Sequence, residues 1–498
     1  MINTSNVFLI VAFIVYLCFM IGIGMYFYGK NRTTTEYFLG GRKLGSWVTS
    51  MSAQASDMSG WLLMGLPGAA YLSGISSGWI AIGLGVGTYL NWLLVAKRLR
   101  QYTKVAGDAI TLPQFFKNRF RDEHGILSVV SAVFILVFFL FYTASGFVSA
   151  AKLFSSVFSI PYLVALAIGV VVVVSYTFAG GFFAVCWTDF FQGMLMFICI
   201  IAVPVMTIKG MGGPVPFFEK THAFNPHFLS MLVDGATGQP YTVLGIASLV
   251  AWGLGYFGQP HILVRFMGIE SPAAIKKSRR IATVWVAISL TAAVIIGMSG
   301  RLFLGDALLS GGKQETVYIT MVTHLFPVFI AGIFLSAILA AIMSTADSQL
   351  LVTASAITED FYHAKIRPNA SAQELMWISR ICVLTVAVIA ALIATNPEST
   401  VLGLVSYAWG GFGATFGPLV LCALFWKRTT RQGAIAGILV GGVVDLVWAQ
   451  LSGGIFDLYE IVPGFVFGLA AILVVSLLTP APGTEVVQEF ETYQECVE

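Results

Sequence analysis

One stretch of the sequence decides the fold: Met51-Ser-Ala-Gln-Ala-Ser-Asp-Met-Ser-Gly-Trp-Leu-Leu-Met-Gly-Leu-Pro-Gly68. It places Asp57 in an apolar run, where a carboxylate is unfavourable at membrane depth unless it meets a cation, water or a hydrogen-bond donor. Gly65, Pro67 and Gly68 weaken the helix and free backbone carbonyls, which a bilayer tolerates only where the chain lines a cavity enclosed by protein. The stretch therefore predicts a cation or solute site in a transporter.

The composition indicates an integral membrane protein. The 498 residues are 57% hydrophobic and 10% charged, whereas soluble domains carry about 25% charged residues. Because no cleavage signature or basic segment precedes the first apolar run, we expect a retained helix rather than a signal peptide. About thirteen runs are long enough to span a bilayer, which predicts an all-α polytopic protein. They lie near residues 6–28, 46–73, 77–97, 126–157, 161–180, 183–208, 242–264, 280–304, 318–350, 375–396, 400–426, 431–452 and 459–479.

The basic residues predict the orientation. If the N-terminus is outside, 21 of the 27 lysines and arginines fall in cytoplasmic loops, Arg42 and Arg265 among them. The outer loops then contain only Lys209, Lys220, Arg301 and Lys313. This asymmetry predicts an outer N-terminus and a cytoplasmic C-terminus. Residues 481–498 carry five glutamates and are expected to form a short, solvated, acidic cytoplasmic tail, with no nucleic-acid-binding or catalytic domain.

Several classes of function are disfavoured by missing motifs. The sequence has no GxxxxGK[ST] loop, so coupling to ATP within this chain is not expected. The six cysteines form no CxxC pair and are interpreted as packing thiols, and the six histidines lack metal-site spacing. We therefore expect a transporter driven by an ion gradient, or a passive channel, rather than an enzyme.

Few ionisable residues lie at membrane depth. The acids are Asp57, Asp189, Asp347 and Asp445, while Lys152 and Arg380 are close enough to helix ends for their charges to reach the interface. This excess of carboxylates favours a protein that uses a cation.

A second polar cluster occupies the ninth run, in Leu335-Ser-Ala-Ile-Leu-Ala-Ala-Ile-Met-Ser-Thr-Ala-Asp-Ser-Gln349. Ala341, Ser344, Thr345 and Ser348 are spaced i, i+3, i+4 and i+7, so they share one helical face. Hydroxyls together with carbonyls freed at a broken helix suit Na⁺ better than a transition metal. The alternative is a face of small residues for helix packing, with hydroxyls bonded to carbonyls of their own helix.

A third segment, Ala251-Trp-Gly-Leu-Gly-Tyr-Phe-Gly-Gln-Pro-His261, again interrupts an apolar run with glycines and a proline. Interrupted helices in corresponding positions of two halves point to an inverted-repeat transporter with its site near the midplane. The second to sixth runs form one set of five, and the seventh to eleventh runs form another. The two sets have opposite orientations in the membrane, because an odd number of crossings separates their starts. The topology thus permits a 5+5 inverted repeat, formed by 46–208 and 242–426.

These segments resemble the sodium:solute symporter family. The likeness is carried by 53–68, by Trp252-Gly-Leu-Gly-Tyr-Phe-Gly-Gln-Pro-His-Ile-Leu263 and by Ala341-Ile-Met-Ser-Thr-Ala-Asp-Ser-Gln-Leu350, with further matches at 36–43 and 175–190. The resemblance implies a LeuT-type fold with thirteen helices and one Na⁺ moved inward with each solute. It also implies one transport domain, 1–480, with an extra N-terminal helix at 6–28 and two C-terminal helices at 431–479.

The resemblance also implies site residues. Sodium ligands are expected at the carbonyls of Ala55, Met58 and Ala341 and the hydroxyls of Ser344 and Thr345. Residues of the ion path or of coupling are expected at Asp57, Ser59, Gly60, Arg42 and Asp189, with Asp57 more a nearby charge than a permanent ligand. Substrate contacts are expected at Trp61, Tyr142, Trp252, Tyr256, Phe257, Gln259 and Pro260. For Arg42 and Asp189 the alternative is a surface or capping role. For any single aromatic residue the alternative is a side chain that faces lipid or packs in the core.

The implied substrate is L-proline, whose apolar ring suits aromatic walls. Pantothenate or another amino acid is the alternative. A passive channel would need a continuous polar pore, and a transporter-like sensor would need a signalling domain. The expected setting is a bacterial inner membrane, with the lipid bilayer, Na⁺ and the solute as partners and no organic cofactor.

Overall fold

The computed structural model describes residues 4–28, 36, 39–177 and 182–497. Lys30 and Arg32 of the first predicted cytoplasmic loop, 37–38 and 178–181 of two family motifs, and Glu498 of the tail lie outside the described residues. Within these ranges the backbone forms helices and two isolated bridges, with no β-strand. The predicted all-α class is confirmed for this part of the chain.

The described residues form twenty α-helices. The first half contains α1 (Thr4–Tyr28), α2 (Ser46–Asp57), α3 (Leu66–Ser73), α4 (Gly78–Leu90), α5 (Ala96–Val105), α6 (Leu112–Arg119), α7 (Ile126–Phe158), α8 (Tyr162–Thr177), α9 (Phe182–Gly210) and α10 (Pro214–Phe224). The second half contains α11 (Val243–Val250), α12 (Pro260–Gly268), α13 (Ala274–Leu304), α14 (Val317–Leu325), α15 (Val328–Ser355), α16 (Ala372–Ile393), α17 (Val401–Phe425), α18 (Arg431–Trp448), α19 (Ile461–Leu478) and α20 (Thr484–Val497).

The helices make this a multi-pass membrane protein. Ten helical segments of the described residues are long and apolar enough to cross a bilayer, and Tyr162–Tyr176 and Val243–Gly258 are shorter apolar helices. The interrupted run 46–73 does not form one continuous helix, because α2 ends at Asp57. Ten segments therefore meet the length requirement, and thirteen crossings stay a prediction.

The first interruption follows α2. Met58 has φ −85° and ψ 73°, outside the helical region, and a π-helical turn, Trp61–Gly65, then leads into α3. The freed carbonyls lie inside the protein, since α2 packs against α9, α13 and α15. Protein groups rather than lipid therefore surround this break, as a bilayer requires.

The second interruption lies between α11 and α12. Ala251–Gly258 forms a 3₁₀ segment and Gln259 is extended, with φ −79° and ψ 106°. Pro260 explains this end, because a proline disfavours helical backbone in the preceding residue and is well suited to the first position of the next helix. The 3₁₀ segment packs against α4 and α17, so it is also enclosed by protein.

The C-terminal tail is a docked helix, which corrects the expectation of a solvated segment. α20 packs against α5, and the side chains of Phe490 and Tyr493 are buried. The Tyr493 ring stacks on Tyr102 with centroids 4.2 Å apart, and Glu489 pairs with Arg121 at 2.6 Å. The prediction of a solvated tail rested on the high glutamate content. It overlooked an apolar face of the helix, on which Phe490 and Tyr493 are spaced i, i+3.

We predict that Phe490→Ala releases α20 from the protein, because it removes a buried aromatic anchor worth about 3–5 kcal/mol. Hydrogen exchange measured by mass spectrometry should show the 484–497 amides protected in the wild type and rapidly exchanging in the variant. Glu495→Ala, which changes an exposed residue of the same helix, should retain protection. Equal protection in Phe490→Ala and the wild type would contradict the docking.

Candidate ion and substrate sites

The predicted sodium ligands lie where broken α2 meets α15. The Ala55 carbonyl accepts hydrogen bonds from the Ser344 hydroxyl at 2.8 Å and the Thr345 hydroxyl at 3.5 Å. Ser344 also donates to the Ala341 carbonyl at 3.3 Å. Four of the five residues are thereby brought together. Met58 is buried one residue past the end of α2, and no hydrogen bond among the described residues joins it to the other four.

This arrangement distinguishes between the two interpretations of the α15 face. Ser348 donates to the Ser344 carbonyl in its own helix at 2.7 Å, as helix packing requires. Ser344 instead makes its shorter bond across to α2, so its oxygen faces a carbonyl freed at the break. The cluster offers neutral oxygen atoms, the ligand type that suits a hard monovalent cation.

Asp57 connects the two broken helices. Its Oδ2 atom accepts from the Tyr256 hydroxyl at 2.6 Å, while Oδ1 is buried without a partner among the described residues. Its backbone carbonyl accepts from Trp61 Nε1 and from the Tyr142 hydroxyl, both at 3.0 Å. Three predicted substrate residues thus hold the broken end of α2 in place.

The next two residues of the break are tightly enclosed. Ser59 is buried and its hydroxyl has no partner among the described residues. A Cβ atom added to Gly60 would lie 2.3 Å from Ser149 Oγ. Only glycine allows the break to approach α7 this closely, so the backbone at Gly60 packs directly against that long helix.

An aromatic wall spans the two breaks. Trp61 and Trp252 have ring centroids 6.5 Å apart, and Trp409 lies 6.4 Å from Trp252 and 5.0 Å from Tyr256. Trp409 Nε1 also donates to the Trp252 carbonyl at 2.7 Å. Tyr142 meets the ring of His261 edge-on at 5.8 Å. Trp409 belongs to α17, and its position inside a long apolar run gave no sequence signal for this contact.

Of the remaining predicted substrate residues, only Gln259 is hydrogen-bonded to the wall within the described part of the chain. Gln259 Nε2 donates to the Trp409 carbonyl at 3.3 Å, and Gln259 Oε1 is buried without a partner among the described residues. Phe257 lies close to α17, since a Cβ atom built on Gly417 would be 3.6 Å from the Cβ atom of Phe257. Pro260 lines a small cavity of about 20 Å³ together with Thr111 and Phe182. A cavity of this size admits water but no amino acid.

Asp189 lies in a buried charged network next to the ion cluster. Arg265 Nη2 approaches Asp189 Oδ2 at 3.1 Å, and Ser52 donates to the same oxygen at 2.7 Å. Arg265 also donates to Ser348 Oγ, which in turn bonds to the Ser344 carbonyl. Asp189 is therefore connected to the cluster by Arg265 and Ser348.

The position of Arg265 corrects the expectation of a cytoplasmic loop residue. It lies within α12 and is fully buried. Its guanidinium donates to Asp189, to the His261 carbonyl and to the hydroxyls of Ser52 and Ser348. The signal was present in the sequence: an arginine inside the apolar run His-Ile-Leu-Val-Arg-Phe-Met, 261–267, requires an acidic partner at membrane depth.

The chain resembles known proteins over nearly its whole length. The profile described as "Sodium:solute symporter family" matches residues 37–441. The chain belongs to the sodium:solute symporter family. It is 49% identical to the sodium/proline symporter of Salmonella typhimurium, covering 97% of this chain and 95% of the relative. It is 47% identical to the high-affinity proline transporter PutP of Bacillus subtilis, covering 96% and 99%. The predicted family membership is confirmed.

A solved structure shares the fold of this symporter. A Na⁺-coupled sialic acid symporter in a substrate-bound outward-open state superposes with a TM-score of 0.77, at 20% identity and covering 96% of this chain and 99% of the other. At this identity the comparison establishes the fold and leaves the solute open.

Arg42 contacts several elements at the predicted cytoplasmic end of the symporter. It pairs with Asp108 at 2.9 Å and donates to the carbonyls of Met267 at 2.7 Å and Ala109 at 3.0 Å. Burial lowers the pKa of its guanidinium, and Asp108 opposes that shift. The residue joins the segment before α2 to the ends of α5 and α12. These contacts place Arg42 in a structural junction, and its role in coupling stays a prediction.

Lys152 corrects another expectation. Its charge does not extend to the interface: Lys152 is 8% exposed and pairs with Glu315 at 2.6 Å. Glu315 also accepts from the amides of Val401 at 2.9 Å and Leu402 at 3.0 Å, at the start of α17. The pair therefore connects α7 to α17 through the loop that contains Glu315.

We predict that Lys152→Met destabilises the symporter by about 3–5 kcal/mol, because it leaves the buried Glu315 charge without its cation. The double variant Lys152→Met/Glu315→Gln should recover most of this loss, since it removes both charges. Thermal unfolding of detergent-purified protein measures both effects. Lys313→Met, which changes an exposed lysine in the same loop, is the matched control. A stable single variant would contradict the pairing.

Proposed function

We propose that this protein imports L-proline with Na⁺ by alternating access. One observation carries the proposal: the Ala55 carbonyl at the α2 break faces the hydroxyls of Ser344 and Thr345 on α15. That geometry suits an ion that holds the two helices together. Several relatives with close to half of their residues identical are named for sodium and proline, which supports this choice of solute.

The proposed sodium ligands are the carbonyls of Ala55, Met58 and Ala341 and the hydroxyls of Ser344 and Thr345. All five residues are buried, so a bound ion would be removed from bulk water. A monovalent ion in a neutral oxygen shell needs no carboxylate ligand. Asp57 accordingly acts as a nearby negative charge that attracts and retains Na⁺, rather than as a permanent ligand.

The proposed substrate site is the aromatic wall. Trp61, Tyr142, Trp252 and Tyr256 face the apolar sides of the pyrrolidine ring, with Phe257, Gln259 and Pro260 at its border. Backbone amides at the helix breaks and Na⁺ itself meet the carboxylate of proline. This assignment requires no deep charged side-chain pocket, which suits a compact zwitterion.

The other predicted residues connect the site to the ion path. Ser59 and Gly60 set the shape of the break and thereby the affinities for ion and substrate. Asp189 receives Na⁺ on its inward route, because it is joined to the cluster through Arg265 and Ser348. Arg42 couples closure of the predicted cytoplasmic side to the position of α2.

Transport follows from linkage between the two ligands. Na⁺ holds α2 against α15 and favours the outward-facing form, substrate then permits closure and inward opening, and Na⁺ leaves to a low-sodium cytoplasm. Moving one charge through 100 mV contributes about 2.3 kcal/mol. This supports a roughly fifty-fold solute gradient before any sodium gradient is added.

We further propose the topology. Thirteen crossings comprise an extra N-terminal helix at 6–28, two inverted repeats at 46–208 and 242–426, and two C-terminal helices at 431–479. The N-terminus faces outward and the tail lies in the cytoplasm, on the side where basic residues concentrate. The setting is the bacterial inner membrane. Pantothenate or another amino acid is the rival solute, because the fold alone does not select one.

We predict that Ser344→Ala/Thr345→Ala raises the sodium concentration for half-maximal uptake by at least roughly tenfold, equivalent to about 1.4 kcal/mol of binding free energy. The physical reason is the loss of two of the few oxygens around Na⁺. Uptake into proteoliposomes at varied Na⁺ measures it. The control is Ser355→Ala. Ser355 lies on the same helix, and its hydroxyl donates to the Val352 carbonyl of that helix. Unchanged sodium dependence in the folded double variant would refute the site.

We predict that excess unlabelled proline abolishes Na⁺-driven uptake of labelled proline, whereas pantothenate does not compete. Trp252→Ala should weaken apparent proline affinity by roughly tenfold or more, because it removes a central part of the wall. Trp377→Ala is the control, since Trp377 is 60% exposed on α16. Absence of Na⁺-dependent proline accumulation by folded protein would refute the solute while leaving the family assignment intact.

A further inference from the structure

Asp445 is a buried acid outside the proposed ion and substrate sites. It lies on α18, one turn before the helix ends at Trp448. The residue is fully buried, and neither Oδ1 nor Oδ2 has a hydrogen-bond partner among the described residues. An ionisable side chain at membrane depth is expected to have a function, and nothing in the proposed transport cycle uses this one.

The carboxyl group occupies a space created by two glycines. A Cβ on Gly410 of α17 would lie 3.3 Å from Asp445 Oδ1 and 3.3 Å from Tyr459 Oη. A Cβ on Gly464 of α19 would lie 3.2 Å from Asp445 Cβ. The acid is therefore enclosed between α17, α18 and α19, beside the Tyr459 hydroxyl.

The groups around Asp445 do not favour its charged form. The nearby ionisable groups are Tyr459, Tyr407 and the half-buried Glu460, a second acid whose charge acts on Asp445. None of the salt bridges among the described residues includes Asp445. An ionised carboxylate without a donor or cation is strongly unfavourable in such surroundings, and the group neutralises instead.

We propose that Asp445 is a proton-binding site, and that the protonated acid maintains the packing behind the substrate-binding wall. A proton needs a single carboxylate oxygen, whereas a metal cation needs several oxygen ligands. The neutral acid has one hydrogen to donate. In this proposal the Tyr459 oxygen is the acceptor, because it shares the space over Gly410 with Asp445 Oδ1 and directs its own hydrogen to the Ser406 carbonyl at 2.6 Å.

The link to transport is Tyr459. Its ring centroid lies 5.7 Å from that of Trp252, which belongs to the wall. If Asp445 loses its proton, water or a donor must enter between the three helices to solvate the charge. This would displace Tyr459 and remove support from Trp252. Alkaline pH should therefore weaken substrate binding and leave the sodium cluster on α15 unaffected.

Infrared difference spectroscopy of the symporter in lipid tests the protonation state without any transport. The wild type at neutral pH should show the carbonyl band of a protonated carboxylic acid, and Asp445→Asn should lack that band. Tyr459→Phe should shift the band, because it removes the acceptor but keeps the ring. An ionised carboxylate whose signal responds to Na⁺ would overturn the proposal in favour of a cation site, and an unshifted band would break the link to the wall.

Transport then tests the consequence, and this arm rests on the proposed function. The KM for proline in the wild type should rise roughly threefold or more from about pH 7 to about pH 9, whereas Asp445→Asn, which is permanently neutral, should show little change. Asp457→Asn, an exposed acid in the neighbouring loop, should behave like the wild type. Identical pH profiles for wild type and Asp445→Asn would overturn the proposal. If no variant transports proline, the proposed solute fails, and the infrared result still decides the proton site.

Discussion

Backbone carbonyls that are freed at membrane depth have no water to bond to, so protein groups must act as their hydrogen-bond donors. At the first break, the Ala55 carbonyl receives two hydroxyls from α15, and the Asp57 carbonyl receives Trp61 and Tyr142. These bonds replace those of a continuous helix. The same carbonyl oxygens are suitable ligands for a cation. The groups that bond to the carbonyls of the break are therefore also the groups of the proposed ion site.

Two cations of the interior are paired with acids. Arg265 lies against Asp189 and Lys152 against Glu315, so each of these two cations has a partner that reduces the cost of its desolvation. Asp445 is different, since its oxygens have no partner among the described residues. A paired charge fixes two elements relative to each other, whereas an unpaired acid responds to proton activity. The contrast between these pairs and Asp445 is the reason for assigning the latter a separate role.

The aromatic wall connects elements that are distant in sequence through contacts between side chains. The Trp252 ring contacts the rings of Trp61 and Tyr459, and Trp409 donates to the Trp252 carbonyl. A change at either end of this series therefore alters the surface proposed to hold the solute. The ion cluster adjoins one end through α2, and the proton site adjoins the other through Tyr459.

The sequence alone determined the membrane setting, the broken helices and the family, because apolar runs, glycine–proline interruptions and ordered motifs are local properties of the chain. It also identified Asp57, Ser344 and Thr345, whose polarity is conspicuous in an apolar run. Only the tertiary structure decided which charges pair, since the partners of Arg265 and Lys152 lie 76 and 163 residues away. It likewise placed Trp409 in the wall and docked α20 on α5, because a single sequence does not show which element an apolar residue or face packs against.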